Sequence, residues 1–392
     1  MTNYYLDIIP INYDYRNQIN HAYKFYVRDL SNNEDTLYDE LPLEIDSFIV
    51  QDIKFCKSLL SSSCNVKLID VKFLSNDFST IELVKFPLHN HYTTLYKNIS
   101  NITSIIPTHK LLEHCRKRFD NISHLIKDNQ NLSLDFYNNT FVDVIVKLES
   151  NPINIDLDYF KNHKLLIDDK LYSNYNIYNT YSRPTNVING YNLTAISSKD
   201  DSRKAIIPNN DYLIEFDYKN YQIHLLADLV NHKFKTNDIY TELMEVYNSD
   251  NREESKKESM WYLFGDIKEN PFPNNIFFKK FFDFKNKLSN LQHFKSPISN
   301  KEILLENTNK DIPRILQVIE TEKNVLTMKK IQEYLSNKKS KLILYFYDSF
   351  LIDYSKQDKK QTLIDLKNII EQETYCSIKF GKNFKDMELF EI

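Results

Sequence analysis

Two apolar runs each lead into an aspartate, and this constrains the chain more than any other feature. Tyr212 to Phe216 runs into Asp217, in LIEFDYKNYQIHLLADL, and a second run reaches Asp348, in LILYFYDSFLIDY. Both are short, apolar and rich in β-formers, so both read as buried strands. A carboxylate at the end of such a strand is costly unless it is paired, caps a helix or holds a metal. Two acids from separate strands can converge on one pair of divalent ions, as two-metal phosphoryl transfer requires. On these residues alone an alternative stands: Asp217 as a helix N-cap and Asp348 as a hairpin-turn residue.

The surrounding pattern is that of a mixed chain. Residues 1–130 read as a small α/β domain with strand-like runs at His21–Val27, Ser47–Phe55, Val66–Phe73 and Thr80–Phe86, then a helix at Thr108–Lys127. Helical periodicity returns at Asn139–Glu149, Asn220–His232, Asp238–Tyr247, Arg252–Phe264, Ile276–Leu291 and Pro313–Ser336, the last opened by Asp311. Ser296–Leu305 reads as a hairpin, and Lys341–Tyr354 as two strands joined at Asp348-Ser349. A helix at Lys360–Glu371 and a strand at Tyr375–Phe380 close the chain.

The net charge of -4 does not point to a nucleic-acid partner, but its distribution does. Between Asn251 and Tyr345 there are 18 Lys and Arg against 12 Asp and Glu, a local surface suited to phosphates. Cys56, Cys64, Cys115 and Cys376 have neither metal nor redox spacing. No apolar run approaches the roughly 20 residues of a membrane span. The N-terminus lacks a secretion signal, so the expected location is cytoplasmic, in a host cell if the gene is a phage's. The chain has only three glycines, which makes Gly190, Gly265 and Gly381 conspicuous.

The strings around the two aspartates resemble the DNA polymerase I family (family A). DYKNYQIHLLADL is similar to its motif A, with Asp217 on the metal-binding aspartate and the Tyr218 carbonyl on the backbone metal ligand. Gln222 falls on the glutamate that excludes ribonucleotides, and His224 replaces an arginine. Arg252, Lys256, Met260 and Phe264, followed by Gly265, follow the spacing of motif B, whose Arg and Lys grip the nucleotide triphosphate. Met260 and Phe264 replace its two aromatics. LYFYDSFLI resembles motif C, with Asp348 on the second catalytic aspartate, Tyr347 for a histidine and Ser349 for a glutamate. Upstream, NTYSRPTNVINGYNLTAISSKDDSRKAII puts Arg183 and Asn192 on primer-contacting positions and Arg203 near the nucleotide. Tyr240, in Asp238-Ile239-Tyr240, falls near the nucleotide, and Arg314 and Gln317 on a helix touching template and primer. The wording of these strings is closest to short bacteriophage members.

The resemblance spans Phe136 to the end and implies an α+β right-hand polymerase with an antiparallel palm sheet, helical fingers at about 235–312, and a polymerase domain over 131–392. The interval from Phe160 to Thr180 leaves no room for the family's helical thumb. A reduced or absent thumb implies a processivity or thumb-substituting protein beside the primed DNA template and dNTPs. Two Mg2+ ions are the implied cofactor. For residues 1–130 the expectation is a degenerate 3′–5′ exonuclease-like domain, against an unrelated small domain. The alternatives to a DNA polymerase are a single-subunit RNA polymerase, which bulky Gln222 opposes, and an impaired relative acting as a DNA-binding accessory.

Overall fold

The computed structural model describes residues 3–12, 22–60, 66–75, 108–127, 135–160, 169–186 and 201–391, with isolated residues between 161 and 200. The chain divides into two compact units. The first comprises Met1–Ser150, Asn162–Thr180 and Pro184–Leu193; the second comprises Asn151–Lys161, Tyr181–Arg183 and Thr194–Ile392.

In the first unit, β1 (Tyr4–Asn12), β2 (Ala22–Asp29) and β3 (Asp35–Tyr38) form an antiparallel meander. On the other edge of β1, β4 (Ser47–Val50) and β5 (Lys67–Asp70) run parallel to it, giving the order β3-β2-β1-β4-β5. The helices are α1 (Ile53–Leu59), α2 (Val71–Ser75), α3 (Thr108–Lys127) and, after a π-turn at Phe136–Phe141, α4 (Val142–Glu149). Parallel strands need a crossover, and α1 supplies it between β4 and β5. Tyr5 to Ile9 of β1 are buried on both faces, as a strand covered on two sides must be. α3 presents Leu111, Cys115, Phe119, Ile122 and Leu125 at helical spacing to Tyr5, Ile9 and Tyr26.

Two of the expected strands divide. Ser47–Phe55 becomes β4 and then α1, whose N-cap Asp52 accepts from the Phe55 N–H at 2.9 Å. Val66–Phe73 becomes β5 and α2, parted at Asp70, whose carboxylate accepts from the Ile53 and Lys72 N–H groups at 2.8 and 2.9 Å. In each case an acid ends the strand and satisfies the orphan N–H groups of a helix. The strand expected at Thr80–Phe86 lies outside the described residues, as does Gly190.

The chain continues through short strands: β6 (Ile153–Ile155), β7 (Lys170–Leu171), β8 (Tyr175–Asn176), β9 (Thr185–Asn186) and β10 (Ile206–Ile207). β6 and β10 belong to the second unit and pair antiparallel; β8 and β9 pair within the first.

The second unit is built on an antiparallel sheet of β11 (Tyr212–Tyr218), β14 (Lys341–Phe346), β15 (Ser349–Tyr354), β16 (Cys376–Gly381) and β17 (Met387–Leu389), after a small hairpin of β12 (His293–Lys295) and β13 (Glu302–Leu304). The order is β14-β15-β11-β16-β17, so β11 is hydrogen-bonded on both sides. Its helices are α5 (Tyr221–Leu229), α6 (Ile239–Tyr247), α7 (Arg252–Phe264), α8 (Ile276–Leu288), α9 (Asp311–Tyr334) and α10 (Gln361–Ile370). Asn220 takes φ 57°, a left-handed conformation that asparagine tolerates, and this turns the chain straight from β11 into α5. α7 is capped by Asn251, with Glu253 and Glu254 in its first turn. It buries Ser255, Ser259 and Leu263. Ser255 donates to the Tyr240 carbonyl at 2.6 Å, and Ser259 to the Ser255 carbonyl at 2.8 Å. α8 buries Phe277, Phe278, Phe281 and Phe282. Among the described residues no helix is long and apolar enough to cross a membrane.

Candidate active site

Asp217 is the penultimate residue of β11, opposite Ser349 on one side and Ser377 on the other. Its carboxylate accepts from Lys219 Nζ at 2.5 Å, with Lys379 Nζ 4.0 Å away. Asp348 stands in the turn of the β14–β15 hairpin. That turn consists of Tyr347 and Asp348, one residue earlier than the sequence pattern suggests, and Ser349 already belongs to β15. Tyr347 takes φ 56°, and the Asp348 N–H donates to the Phe346 carbonyl at 2.5 Å, closing a γ-turn of the rare positive-φ kind. Such a conformation in a bulky residue costs about 1–3 kcal/mol and persists only when neighbours enforce it. The enforcing groups are at hand. Buried Asn324 on α9 donates to the Tyr347 carbonyl and, at 3.1 Å, to the Tyr345 hydroxyl. The Tyr218 N–H donates to the Asp348 carbonyl at 2.9 Å. These bonds fasten Asp348 beside the end of β11, so the two aspartates share one end of neighbouring strands.

The consequence is electrostatic. Burial of the carboxyl and then the nearby Asp217 push the Asp348 pKa up to about 6.

A second cluster lies alongside. Glu320 on α9 is 2% exposed and accepts from Arg183 Nη2 at 2.9 and 3.0 Å and from Gln222 Nε2 at 3.2 Å. Burial raises its pKa against the opposing pull of Arg183 and Gln222. The Arg183 guanidinium also lies over the Tyr347 ring, 4.2 Å from its centroid. One pair thereby links α5, α9 and the strained turn.

Across the cleft, α7 presents Arg252, Lys256 and Met260 at four-residue spacing. Arg252 pairs with Asp238 at 2.8 Å and lies 5.2 Å from the Tyr240 ring centroid. Burial would raise the Asp238 pKa, but its bonds from Arg252 and Thr241 hold it below the usual carboxylate range. Lys256 is exposed and has no ion pair among the described residues. The cleft has a volume of about 710 Å3, and its walls include Asp217, Tyr218, Asp348, Tyr347, Arg183, Gln222, Glu320, Tyr240, Arg252, Lys256 and Met260.

The structure thus gathers ten of the residues singled out by sequence in the cleft walls and leaves Arg203, Arg314 and Gln317 aside. Arg203 is outside the cleft walls, donating to the Ile196 carbonyl at 3.2 Å and lying 4.6 Å from the Phe384 ring centroid. Arg314 pairs with Glu306 at 2.7 Å and faces the Tyr181 ring. Gln317 is half-buried on α9 and does not line the cleft. Asn192 lies outside the described residues. His224 lines a separate hollow of about 430 Å3 with Asp228 and His232, and burial lowers its pKa.

Sequence reasoning missed Glu320, Asn324 and Lys219. Glu320, Glu322 and Asn324 sit in IETEKN, which reads as a solvated helix face; all three are buried. The available signal was the apolar Ile315, Leu316, Ile319 and Val325 around them, which left no face of α9 for water.

Among the described residues no group of three or more His, Cys, Asp or Glu is placed to hold a metal ion. The donors expected from sequence, two carboxylates and the Tyr218 carbonyl, are hard oxygens of the kind that suits Mg2+. A divalent cation between the two carboxylates would offset both the burial of Asp348 and its repulsion by Asp217.

No protein-family model and no curated protein sequence matches the chain. Its fold matches solved structures. It is similar to the POL domain of Pol1 from M. smegmatis, solved in complex with DNA primer-template and dNTP, with a TM-score of 0.65 over 97% of this chain and 96% of that one. The identity is 8%, so the likeness is one of fold: the chain folds as a DNA polymerase domain does.

Proposed function

We propose that this chain is a template-directed DNA polymerase of the family A type, extending a primer 3′-hydroxyl with deoxynucleotides. The observation that carries the reading is the meeting of Asp217 and Asp348 at one end of adjacent strands, across a cleft from Arg252 and Lys256. The fold shared with a polymerase domain that holds primer-template and dNTP adds to it.

On this reading Arg252 and Lys256 bind the triphosphate, Arg as a two-pronged donor and Lys as a point charge. Arg252 must then leave Asp238, which is cheap because both partners are substantially exposed. Gln222 lies beneath the sugar, fixed by Glu320, and crowds a 2′-hydroxyl. Arg183 and Tyr347 flank the primer terminus. Asp217, Asp348 and the Tyr218 carbonyl would hold Mg2+, which when bound activates the hydroxyl and neutralises the leaving group. The 3′-hydroxyl loses its proton to solvent and its oxygen bonds to the α-phosphorus in line, the bond from that phosphorus to the β-phosphate oxygen breaks and pyrophosphate departs; the side chains contribute position and charge.

The reading assigns residues 131–392 to the polymerase, with fingers at about 235–312. Only short strands stand among the described residues between Ser150 and Thr180, which favours a reduced thumb and a processivity partner. For residues 1–130 we keep the degenerate exonuclease reading. Asp7 in central strand β1 is buried, and the Arg118 guanidinium grips both its oxygens at 2.5 and 3.1 Å, leaving it no room for a metal.

The test is extension of a primed DNA template in Mg2+, with dNTPs against NTPs, beside Asp217→Asn and Asp348→Asn. Extension with dNTPs that both variants lose is expected. Wild-type DNA binding without extension, at high enzyme concentration, would sink the enzyme reading in favour of an accessory.

A further inference from the structure

α9 carries two buried carboxylates two residues apart, and of the two Glu320 alone lines the cleft. The other, Glu322, accepts from the Ser296 hydroxyl and, at 2.6 Å, from the Ser299 hydroxyl, which pins the loop between β12 and β13 to the helix. That loop ends in Lys301, whose N–H donates to the Ser299 hydroxyl oxygen at 3.0 Å. A lysine is almost never fully buried. Lys301 is 2% exposed, and burial pushes its pKa down to about 7 against the pull of Glu322. Its Nζ donates to the Ser182 hydroxyl at 2.8 Å. Ser182 is itself buried and takes φ 61°, and across it the Arg183 N–H donates to the Tyr181 carbonyl at 2.8 Å. This is a second γ-turn of the rare positive-φ kind. It stands just before Arg183, as the first stands just before Asp348.

A serine at positive φ is strained and persists only where neighbours enforce it. Lys301 supplies a charged one, bonded to the serine's own side chain. We propose that Lys301 is a positioning residue: by holding Ser182 in its turn, it aims Arg183 at Glu320 and the Tyr347 ring, and so at the primer terminus. The proposal rests on the polymerase reading, which places Arg183 there. The contacts favour this role over that of a lysine merely filling a polar interior, because they close a ring. From Glu322 they run through the loop serines to Lys301, then through Ser182 to Arg183, and return to α9 at Glu320.

The test uses the full chain, with anisotropy of a labelled primer strand in a primed duplex and scanning calorimetry beside it. Ser182→Ala and Ser182→Gly both remove the hydroxyl that Lys301 holds, but only glycine takes positive φ freely. Ser182→Ala should bind the duplex about tenfold more weakly than wild type, since only about a tenth of the molecules would keep the competent turn, and Ser182→Gly should stay within about threefold. Lys301→Met should show a loss like that of the alanine variant. Adding Ser182→Gly should recover most of that affinity while the melting midpoint stays low, because Glu322 still lacks its countercharge. In an Arg183→Ala background Lys301→Met should cost no further affinity. The serine pair decides even if Lys301→Met does not fold. Equal affinities of the alanine and glycine variants, or a Lys301→Met loss undiminished in the Arg183→Ala background, would overturn the positioning role and leave the polymerase reading intact. Recovery of affinity only together with the midpoint would also overturn it, marking Lys301 as structural. A wild type that binds no primed duplex would remove both.

Discussion

Consider the removal of Arg183. Its guanidinium supplies two of the three bonds to Glu320, a carboxylate with almost no contact with water. Arg183→Ala leaves that charge buried with Gln222 as its remaining partner. Breaking a buried pair from one side costs roughly 3–5 kcal/mol, and the part-exposed Arg183 side chain puts this case near about 3 kcal/mol. For a unit of this size that lowers the melting midpoint by roughly 6–12 °C at pH 7.5. The pH dependence follows from the direction of the shift. The Glu320 pKa is already raised by burial, and loss of Arg183 removes a group that lowers it. A carboxyl whose folded pKa lies above its unfolded value gains stability by protonation, so the deficit should shrink as the pH is lowered through the folded pKa. Adding Glu320→Gln removes the stranded charge and should restore most of the midpoint at pH 7.5, but not primer affinity. Scanning calorimetry at two pH values, with anisotropy on a primed duplex, reads all three quantities. A pH-independent deficit that Glu320→Gln fails to repair would refute the electrostatic account.

Two further outcomes follow from the same accounting. Asp348, held up at about 6, destabilises the metal-free fold when ionised, and this cost vanishes below the unfolded pKa near 4. A shift of that size is about 3 kcal/mol; although the carboxyl is packed beside Asp217, the residue as a whole is open to water, and screening leaves about 1 kcal/mol. Asp348→Asn in chelator should therefore melt higher than wild type at pH 7.5 and equally at pH 4, and a lower midpoint at pH 7.5 would contradict the assignment. In the first unit, Arg118→Ala strands buried Asp7 at a cost of about 3–5 kcal/mol, whereas Arg118→Met with Asp7→Leu should recover most of it; urea unfolding of both variants decides.

How much of this was legible beforehand depended on whether the determining contacts were local. α7 begins and ends where the sequence pattern places it, because Asn251, two following acids and Gly265 are all local signals. β11 and the β14–β15 hairpin were legible from their apolar runs. The turn itself was misplaced by one residue. Asp-Ser reads as turn chemistry, whereas Tyr347 at positive φ is imposed by Asn324, more than twenty residues earlier. Glu320 was invisible for the same reason: only packing reveals that a charged string is inside. In the first unit, the pair of strand-to-helix transitions at Asp52 and Asp70 was hidden because apolar residues continue across both.

The seam beneath α7 bears on how the cleft can work. A helix resting on leucines is locked, since tilting it tears apolar surface apart. α7 rests on two serines, Ser255 donating to the Tyr240 carbonyl of α6 and Ser259 to the Tyr247 hydroxyl at 3.1 Å, with Leu263 as its one deeply buried apolar anchor near the far end. Hydroxyl bonds can be exchanged for water at little net cost. On the polymerase reading, the motion to expect is that of a hinged door: the leaf bearing Arg252 and Lys256 swings about its Leu263 end, while the frame bearing Asp217, bonded to strands on both sides, stays still.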